Sequence, residues 1–143
     1  LSLYQIKDED IERISALKSL TDLTIHDSEF DSLDALCKIE ALRNLNLSNS
    51  TVNDFSALPK LENLQYLYLQ YCGFDDATLV SGLENLTRLS IRNNWSNDRT
   101  KVQNLDMLAN LKNLTRLTLY NVDIDDDTLR MLRSALPNCE IQT

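Results

Sequence analysis

Residues 61–69 read LENLQYLYL, and this arrangement of leucines returns along the chain at a spacing of 22 residues. The pair Leu67-x-Leu69 is the part of the stretch that repeats most regularly. The first members of the corresponding pairs are Leu1, Leu23, Leu45, Leu67 and Leu89, followed after one longer step by Leu117 and after one more regular step by Cys139. A unit this short cannot bury its own apolar face, so successive units must stack into a solenoid with one continuous core.

Two further positions in each unit carry apolar residues. When the first residue of each pair is numbered zero, position 19 is always leucine, and position 16 is leucine or isoleucine in every unit except the last. Position 19 holds Leu20, Leu42, Leu64, Leu86, Leu114 and Leu136, and position 16 holds Leu17, Ile39, Leu61, Leu83 and Leu111, with the longer unit aligned from its far end. We expect the residues at positions zero, 2 and 19 to form the core.

The Leu-x-Leu pairs predict short strands, because alternation places two side chains on one face and the intervening residue on the other. Each strand is followed by a crossover that returns the chain to the same end of the sheet, so the strands must be parallel. In the third unit the crossover carries Phe55, Leu58, Leu61 and Leu64, three residues apart. A spacing of three is typical of a 3₁₀ turn or a single short helical turn.

Acidic runs mark several crossovers as helix starts. Asp75-Asp76 and Asp125-Asp126-Asp127 lie just before Thr-Leu pairs, where aspartate oxygens can accept from free amide groups at a helix start. We predict that these two crossovers are true helices, and we interpret Asp8-Glu9-Asp10 in the same way. The runs lack the spaced ligands of a calcium loop.

The pattern L-x-x-L-x-x-L-x-L, followed by a small polar residue or cysteine and one more apolar residue as in Cys72-Gly73-Phe74, resembles the leucine-rich repeat family over the whole chain. The resemblance is to the short-repeat form of bacterial internalins and of a eukaryotic phosphatase-regulating subunit. It implies an α/β fold, a right-handed superhelix of about seven short parallel strands joined by short helical or 3₁₀ crossovers.

The resemblance also predicts the domain organisation. We expect a single leucine-rich repeat domain over residues 1–143, a fragment without its N-terminal cap, with a helix and strand over residues 126–143 closing the C-terminal end. Secreted animal members usually carry disulfide-bonded caps, and the three cysteines do not provide them. We expect Cys72 and Cys139 to be small buried residues, the latter in place of a strand leucine, and Cys37 to lie on the outer side.

Composition argues against several classes of function. The net charge of −8 disfavours a nucleic-acid partner, and the sequence has no apolar run of the roughly 18 residues that span a bilayer. It has one histidine, His26, and no glycine-rich phosphate loop, G-x-S-x-G turn or metal-ligand spacing. We therefore predict a protein that is not an enzyme and has no cofactor or metal.

Several outward positions of the strands are occupied by large side chains of the types that dominate binding sites. Counted from the strand leucine, positions −1, +1, +3 and +4 face away from the core or lie at the strand end. All five tyrosines and three arginines fall in this set: Tyr4 and Tyr120 at +3, Tyr66 at −1, Tyr68 at +1, Tyr71 at +4, Arg88 and Arg116 at −1, and Arg92 at +3. Tyrosine and arginine are typical of binding hot spots. Tyrosine is also common in strands that bind nothing, because it has a high β-propensity.

The longer unit adds six residues after Ile91 and contains Trp95, the single tryptophan. Insertions in solenoids lie on one face, which is often the binding face. Trp95 can equally fold back over the core, where Phe74 or Val52 lies in other units.

These observations lead to three hypotheses. The first is a recognition module that binds a protein or peptide on its concave strand face, through Tyr66, Tyr68, Tyr71, Arg88, Arg92, Trp95, Arg116 and Tyr120. The second is a structural spacer in a larger bacterial surface or secreted protein, with the activity elsewhere. The third is an anion site built from Arg88, Arg92, Arg99, Lys101 and Arg116. The sequence does not indicate the oligomeric state.

Overall fold

Parallel strands dominate the computed structural model, which describes residues 1–93 and 101–143. Seven of them form one parallel sheet in the order β1-β2-β4-β6-β7-β8-β9, and β3 pairs with β5 in a second, two-stranded sheet. The strands are β1 (Ser2–Tyr4), β2 (Asp22–His26), β3 (Glu29–Ser32), β4 (Asn44–Ser48), β5 (Thr51–Asp54), β6 (Tyr66–Gln70), β7 (Arg88–Arg92), β8 (Arg116–Tyr120) and β9 (Glu140–Gln142). The predicted row of about seven short parallel strands is confirmed.

The register of the sheet follows the sequence repeat through six strands. Leu45 pairs with Leu67, and Leu67 with Leu89. Leu89 pairs with Leu117, so the longer step between these two leucines leaves the register intact.

The predicted register of the last strand is wrong. Ile141, and not Cys139, pairs with Leu117, so the final step is longer than the regular repeat by two residues. Leu136 keeps its place in the core, and the Cys139 amide donates to the Leu136 carbonyl at 3.0 Å. This extra turn accounts for the two added residues between the core leucine and the strand. Cys139 is therefore a half-buried residue ahead of the strand.

Most crossovers are 3₁₀ turns, as the spacing of three predicts, at Asp34–Lys38, Leu58–Lys60, Ala77–Leu79 and Leu105–Asn110. Two are α-helices, α1 (Asp8–Ile14) and α2 (Asp126–Ala135). The Asp125 carboxylate accepts from the Thr128 amide at 2.7 Å at the start of α2, which confirms the helix start predicted there.

The helix predicted after Asp75-Asp76 is only a three-residue 3₁₀ turn. Asp76 accepts from the Thr78 amide at 3.0 Å, as expected of a helix start. Beyond it, however, the buried residues Ala77, Val80 and Leu83 follow one another at intervals of three. That interval matches the 3₁₀ period, whereas an α-helix would turn some of these side chains away from the core.

The core is a continuous column of leucines and isoleucines. Leu45, Leu67 and Leu117 at position zero, and Leu64 and Leu86 at position 19, have no exposed surface. The first unit departs from the prediction. Leu1 is 49% exposed, and Leu3 and Leu20 are only partly buried. Leu17, at position 16 of the same unit, is 47% exposed. Among the described strands β1 has a neighbour on one side alone, so its leucines are covered from one direction.

The second sheet was not predicted. Strands β3 and β5 each bury one large apolar residue, Phe30 and Val52, which lie seven residues beyond their strand leucines. Between the two sheets the chain turns at position 5, where Ser28 and Ser50 lie. The Ile6 amide donates to the Ser28 hydroxyl at 3.0 Å, and the Ser28 amide to the Ser50 hydroxyl at 3.2 Å. Small polar residues at this position thus satisfy backbone groups inside the stack.

Cys72 occupies position 5 in the next unit. It is 3% exposed, and burial raises the pKa of its thiol to about 11. Cys37, which we expected on the outer side, lies in the crossover at Asp34–Lys38. It is half-buried, and its sulfur lies 3.7 Å from the Ala57 carbonyl of the following unit.

The two leucines at position 16 of the first and fourth units offer a matched stability test. Leu83→Ala should lower the free energy of unfolding by about 2–5 kcal/mol, because it leaves a cavity in a fully buried site. Leu17→Ala, at the same repeat position but half exposed, should change it by less than about 0.5 kcal/mol. Urea unfolding measures both values. Equal losses would contradict the burial described for the first unit.

Thiol labelling tests the position of the three cysteines. In the folded protein at mildly alkaline pH, Cys37 and Cys139 should react with a soluble disulfide reagent, since both are partly accessible. Cys72 should react only after denaturation, because it is buried and its high pKa leaves little thiolate. Variants that retain one cysteine each assign the signals. Rapid labelling of Cys72 in the folded state would exclude its burial.

Candidate functional site

One face of the seven-stranded sheet points away from the leucine core, and we call it the strand face. Its three rows run across the strands at positions −1, +1 and +3. Row −1 contains Asp22, Asn44, Tyr66, Arg88, Arg116 and Glu140; row +1 contains Ser2, Thr24, Asn46, Tyr68, Ser90, Thr118 and Gln142; row +3 contains Tyr4, His26, Ser48, Gln70, Arg92 and Tyr120.

The pairing of β6, β7 and β8 brings six of the predicted binding residues onto adjacent strands. Tyr66 and Tyr68 on β6 are half-buried, and Arg88 and Arg92 on β7 are exposed. On β8 Arg116 and Tyr120 are also exposed. Large side chains thus occupy this half of the strand face, while small polar residues occupy much of the β2 and β4 half.

Two of the arginines lie over aromatic rings of neighbouring strands. The Arg88 guanidinium carbon lies 5.1 Å from the centre of the Tyr66 ring, and that of Arg92 lies 5.8 Å from the centre of the Tyr120 ring. Contacts of this kind hold a cation near an aromatic face. They restrict the motion of both side chains before any partner arrives.

Arg116 is held differently, by an ion pair. Its Nε and Nη2 atoms donate to one oxygen of Glu140 at 3.1 and 2.8 Å. Hydrogen bonds from Gln142 and Arg116 hold the pKa of the Glu140 carboxyl below its usual range. At the other end of row −1, the side chains of Thr21 and Asn44 lower the pKa of Asp22. Row −1 is therefore acidic at both ends and basic in the middle.

Tyr71 has a backbone role in addition to its expected place on the binding surface. Its φ of 54° lies in the left-handed region, and its amide donates to the Arg92 carbonyl at 2.8 Å. Position +4 has positive φ in other units as well, at Gln5, Asp27, Asn49 and Asn121. This conformation turns the chain out of the strand in these five units, and a bulky residue rarely adopts it. The side chain of Tyr71 is half-buried.

A pocket of about 190 Å³ opens on the strand face above Ser90, and we call it the arginine pocket. Its lining is Tyr68, Gln70, Arg88, Leu89, Ser90, Arg92, Arg116, Thr118 and Gln142. Ser90 is 5% exposed, and within residues 1–93 and 101–143 its hydroxyl has no hydrogen-bond partner. Sequence reasoning missed this residue. The available signal was a small residue in row +1 between the larger Tyr68 and Thr118.

Three predicted site residues remain to be placed: Trp95, Arg99 and Lys101. Trp95 and Arg99 lie outside the described residues. Lys101 is exposed and is not among the residues that line the pocket. The described part of the chain contains no group of three or more His, Cys, Asp or Glu side chains placed to hold a metal ion. Nor does any helix in residues 1–93 and 101–143 have the length and apolarity to cross a membrane.

Comparison with solved structures identifies the fold of the chain. The internalin InlF of Listeria monocytogenes superposes with a TM-score of 0.77 over 99% of this chain, at 24% sequence identity. Internalin C2 of the same species superposes with a TM-score of 0.60 over 96% of the chain, at 26% identity. The chain has a leucine-rich repeat fold. No family model and no curated protein sequence matches it.

The leucine-rich repeat chain spans part of the length of these neighbours. It covers 39% of the InlF chain and 66% of the internalin C2 chain. The superposition on both internalins identifies a bacterial type of leucine-rich repeat solenoid, a fold typical of protein-interaction modules.

Two buried serines of this leucine-rich repeat provide a test of the unpaired hydroxyl. Ser90→Ala should leave the free energy of unfolding unchanged or raise it slightly, because in the described structure the hydroxyl it removes is buried without a partner. Ser50→Ala should lower the free energy by about 1–3 kcal/mol, since Ser50 donates to the Ser48 carbonyl and accepts from the Ser28 amide. Thermal or urea unfolding gives both values. A large loss for Ser90→Ala would mean that its hydroxyl is bonded in solution.

Proposed function

We propose that this leucine-rich repeat is a non-enzymatic recognition module that binds a protein or peptide on its strand face. The observation that supports the proposal most directly is the cluster on β6, β7 and β8, where tyrosines and arginines lie side by side in register. Each of these side chains offers a large contact area with a polar end, which is the combination found in hot spots.

The arrangement of the cluster adds to this support. Arg88 and Arg92 already lie against aromatic rings in the structure. Side chains that are held before binding lose less conformational entropy when a partner arrives. A cluster prepared in this way can contribute more binding free energy than the same residues on a mobile surface.

The dimensions of the sheet limit the partner. Seven strands at about 4.8 Å spacing span roughly 29 Å, and the four residue steps from row −1 to row +3, at about 3.3 Å each, give a face on the order of 400 Å². A standard protein interface takes about 800 Å² from each partner. The strand face alone therefore suits a peptide or a protruding loop, and a larger partner would need contacts from the inserted segment or from another part of a longer protein.

The test removes one tyrosine and one arginine from the cluster. Tyr68→Ala combined with Arg92→Ala should weaken partner binding by more than about 2 kcal/mol, the size of a hot-spot loss. The melting temperature should stay nearly unchanged, because both side chains lie on the face opposite the core. Affinity capture from extracts of the source organism, followed by titration of the captured partner, measures the binding.

A matched control separates the cluster from the rest of the surface. Tyr4 lies on the strand face at its far edge and Arg133 is exposed beyond the sheet, on α2. Tyr4→Ala combined with Arg133→Ala removes the same residue types and should bind like the unmodified chain. Identical recovery of partners by the chain and by both double variants would favour the spacer hypothesis instead.

A further inference from the structure

We propose that the arginine pocket binds the carboxylate of an aspartate or glutamate side chain, presented by a peptide or loop of the partner. This inference rests on the proposed function, because it names the chemistry that the strand face recognises. It also identifies Ser90, which lies at the floor of the pocket, as a binding residue.

Within residues 1–93 and 101–143, the positive charges that flank Ser90 are uncompensated. Arg88 and Arg92 are two residues before and two residues after Ser90 on β7, so all three side chains project from the same face of the strand. In the described residues neither guanidinium makes a hydrogen bond or an ion pair; each contacts an aromatic ring. A contact with a ring leaves the N–H donors unused, and a guanidinium carries five of them. Both arginines can therefore donate to an anion in the pocket.

The hydroxyl of Ser90 is the independent observation that indicates a ligand. It is buried, it lines the pocket, and within the described chain it has no acceptor. A buried hydroxyl without a partner is unfavourable, and a carboxylate oxygen placed between the arginines would accept its hydrogen. Ser28 and Ser50, the buried serines of the turns between the sheets, are hydrogen-bonded, so Ser90 differs from them.

Glu140 shows that a carboxylate fits beside this row of arginines. Its oxygen already binds Arg116, at 2.8 Å from Nη2. The charge of Glu140 repels an incoming anion while the charges of Arg88 and Arg92 attract it, and both effects grow with the charge of the ligand. Because a carboxylate is the group that already binds an arginine of this row, a carboxylate is the ligand that we assign.

A random linear peptide library, selected on the folded chain, supplies the probe. The selected peptides should share an aspartate or glutamate at one position. Replacing that residue by asparagine or glutamine should weaken binding about 10-fold to 100-fold, the range of charge-assisted hydrogen bonds. The loss should shrink as salt is raised, since both arginines are exposed.

Protein variants assign the effect to the pocket. Arg92→Gln and Ser90→Ala should each weaken the acidic peptide and leave its amide counterpart nearly unaffected, which a double-mutant cycle measures. Arg133→Gln on α2 is the control for Arg92→Gln with equal charge change and should have no effect. Circular dichroism and melting curves verify that each variant folds.

The outcomes separate this inference from the proposed function. Peptides whose binding requires Tyr68, but which share no acidic residue, would overturn the carboxylate pocket and leave the proposed function standing. A selection without any peptide that depends on the strand face would overturn both. Tighter binding by more than tenfold when phosphoserine replaces the acidic residue would overturn the assignment to a carboxylate.

Discussion

The structure depends on the parallel, in-register pairing of strands that begin one sequence repeat apart. Leu45, Leu67 and Leu89 pair with one another in sequence, and each has at most 1% of its surface exposed. Backbone hydrogen bonds and leucine packing agree on the same register. A slip of one residue would move every leucine of a strand from the core to the outer face, so the two together specify one alignment. The longer step before Leu117 changes the length of the crossover and leaves this alignment intact.

The same pairing builds the surface. Tyr66, Arg88 and Arg116 belong to three successive units and are distant in the chain, yet they are immediate neighbours because their strand leucines pair. Parallel sheets usually have helices over both faces, and their strands are then apolar throughout. Here the crossovers lie on one side, and the strands alternate between buried leucine and exposed or half-buried polar residues. The repeat therefore fixes where the rows run, while the residues at the outward positions vary without affecting the core.

The sequence period was enough to predict these rows, because it determines both the register and the alternation of side chains. It was not enough at the last strand, where Leu136 stays in the core and one more turn before Ile141 lengthens the step by two residues. It also missed β3 and β5, since a strand of four residues with a single buried side chain has no recognisable alternation. The arginine pocket could not be predicted either. The burial of Ser90 depends on the side chains around it, such as Tyr68 and Arg92, and residue spacing does not describe how such side chains cover a smaller one.

Ser90 differs from the buried serines of the turns in the hydrogen bonding of its hydroxyl. In the turns between the sheets, serine hydroxyls bond to backbone groups of the same or the neighbouring unit, so their burial stabilises the stack. On β7 the strand backbone is already paired on both sides, and within the described chain the outward hydroxyl of Ser90 finds neither a backbone partner nor solvent. An alanine would fill this site without an unpaired polar group. The hydroxyl is therefore explained better by a bound acceptor than by stability, and the two arginines beside it favour an acceptor that carries negative charge.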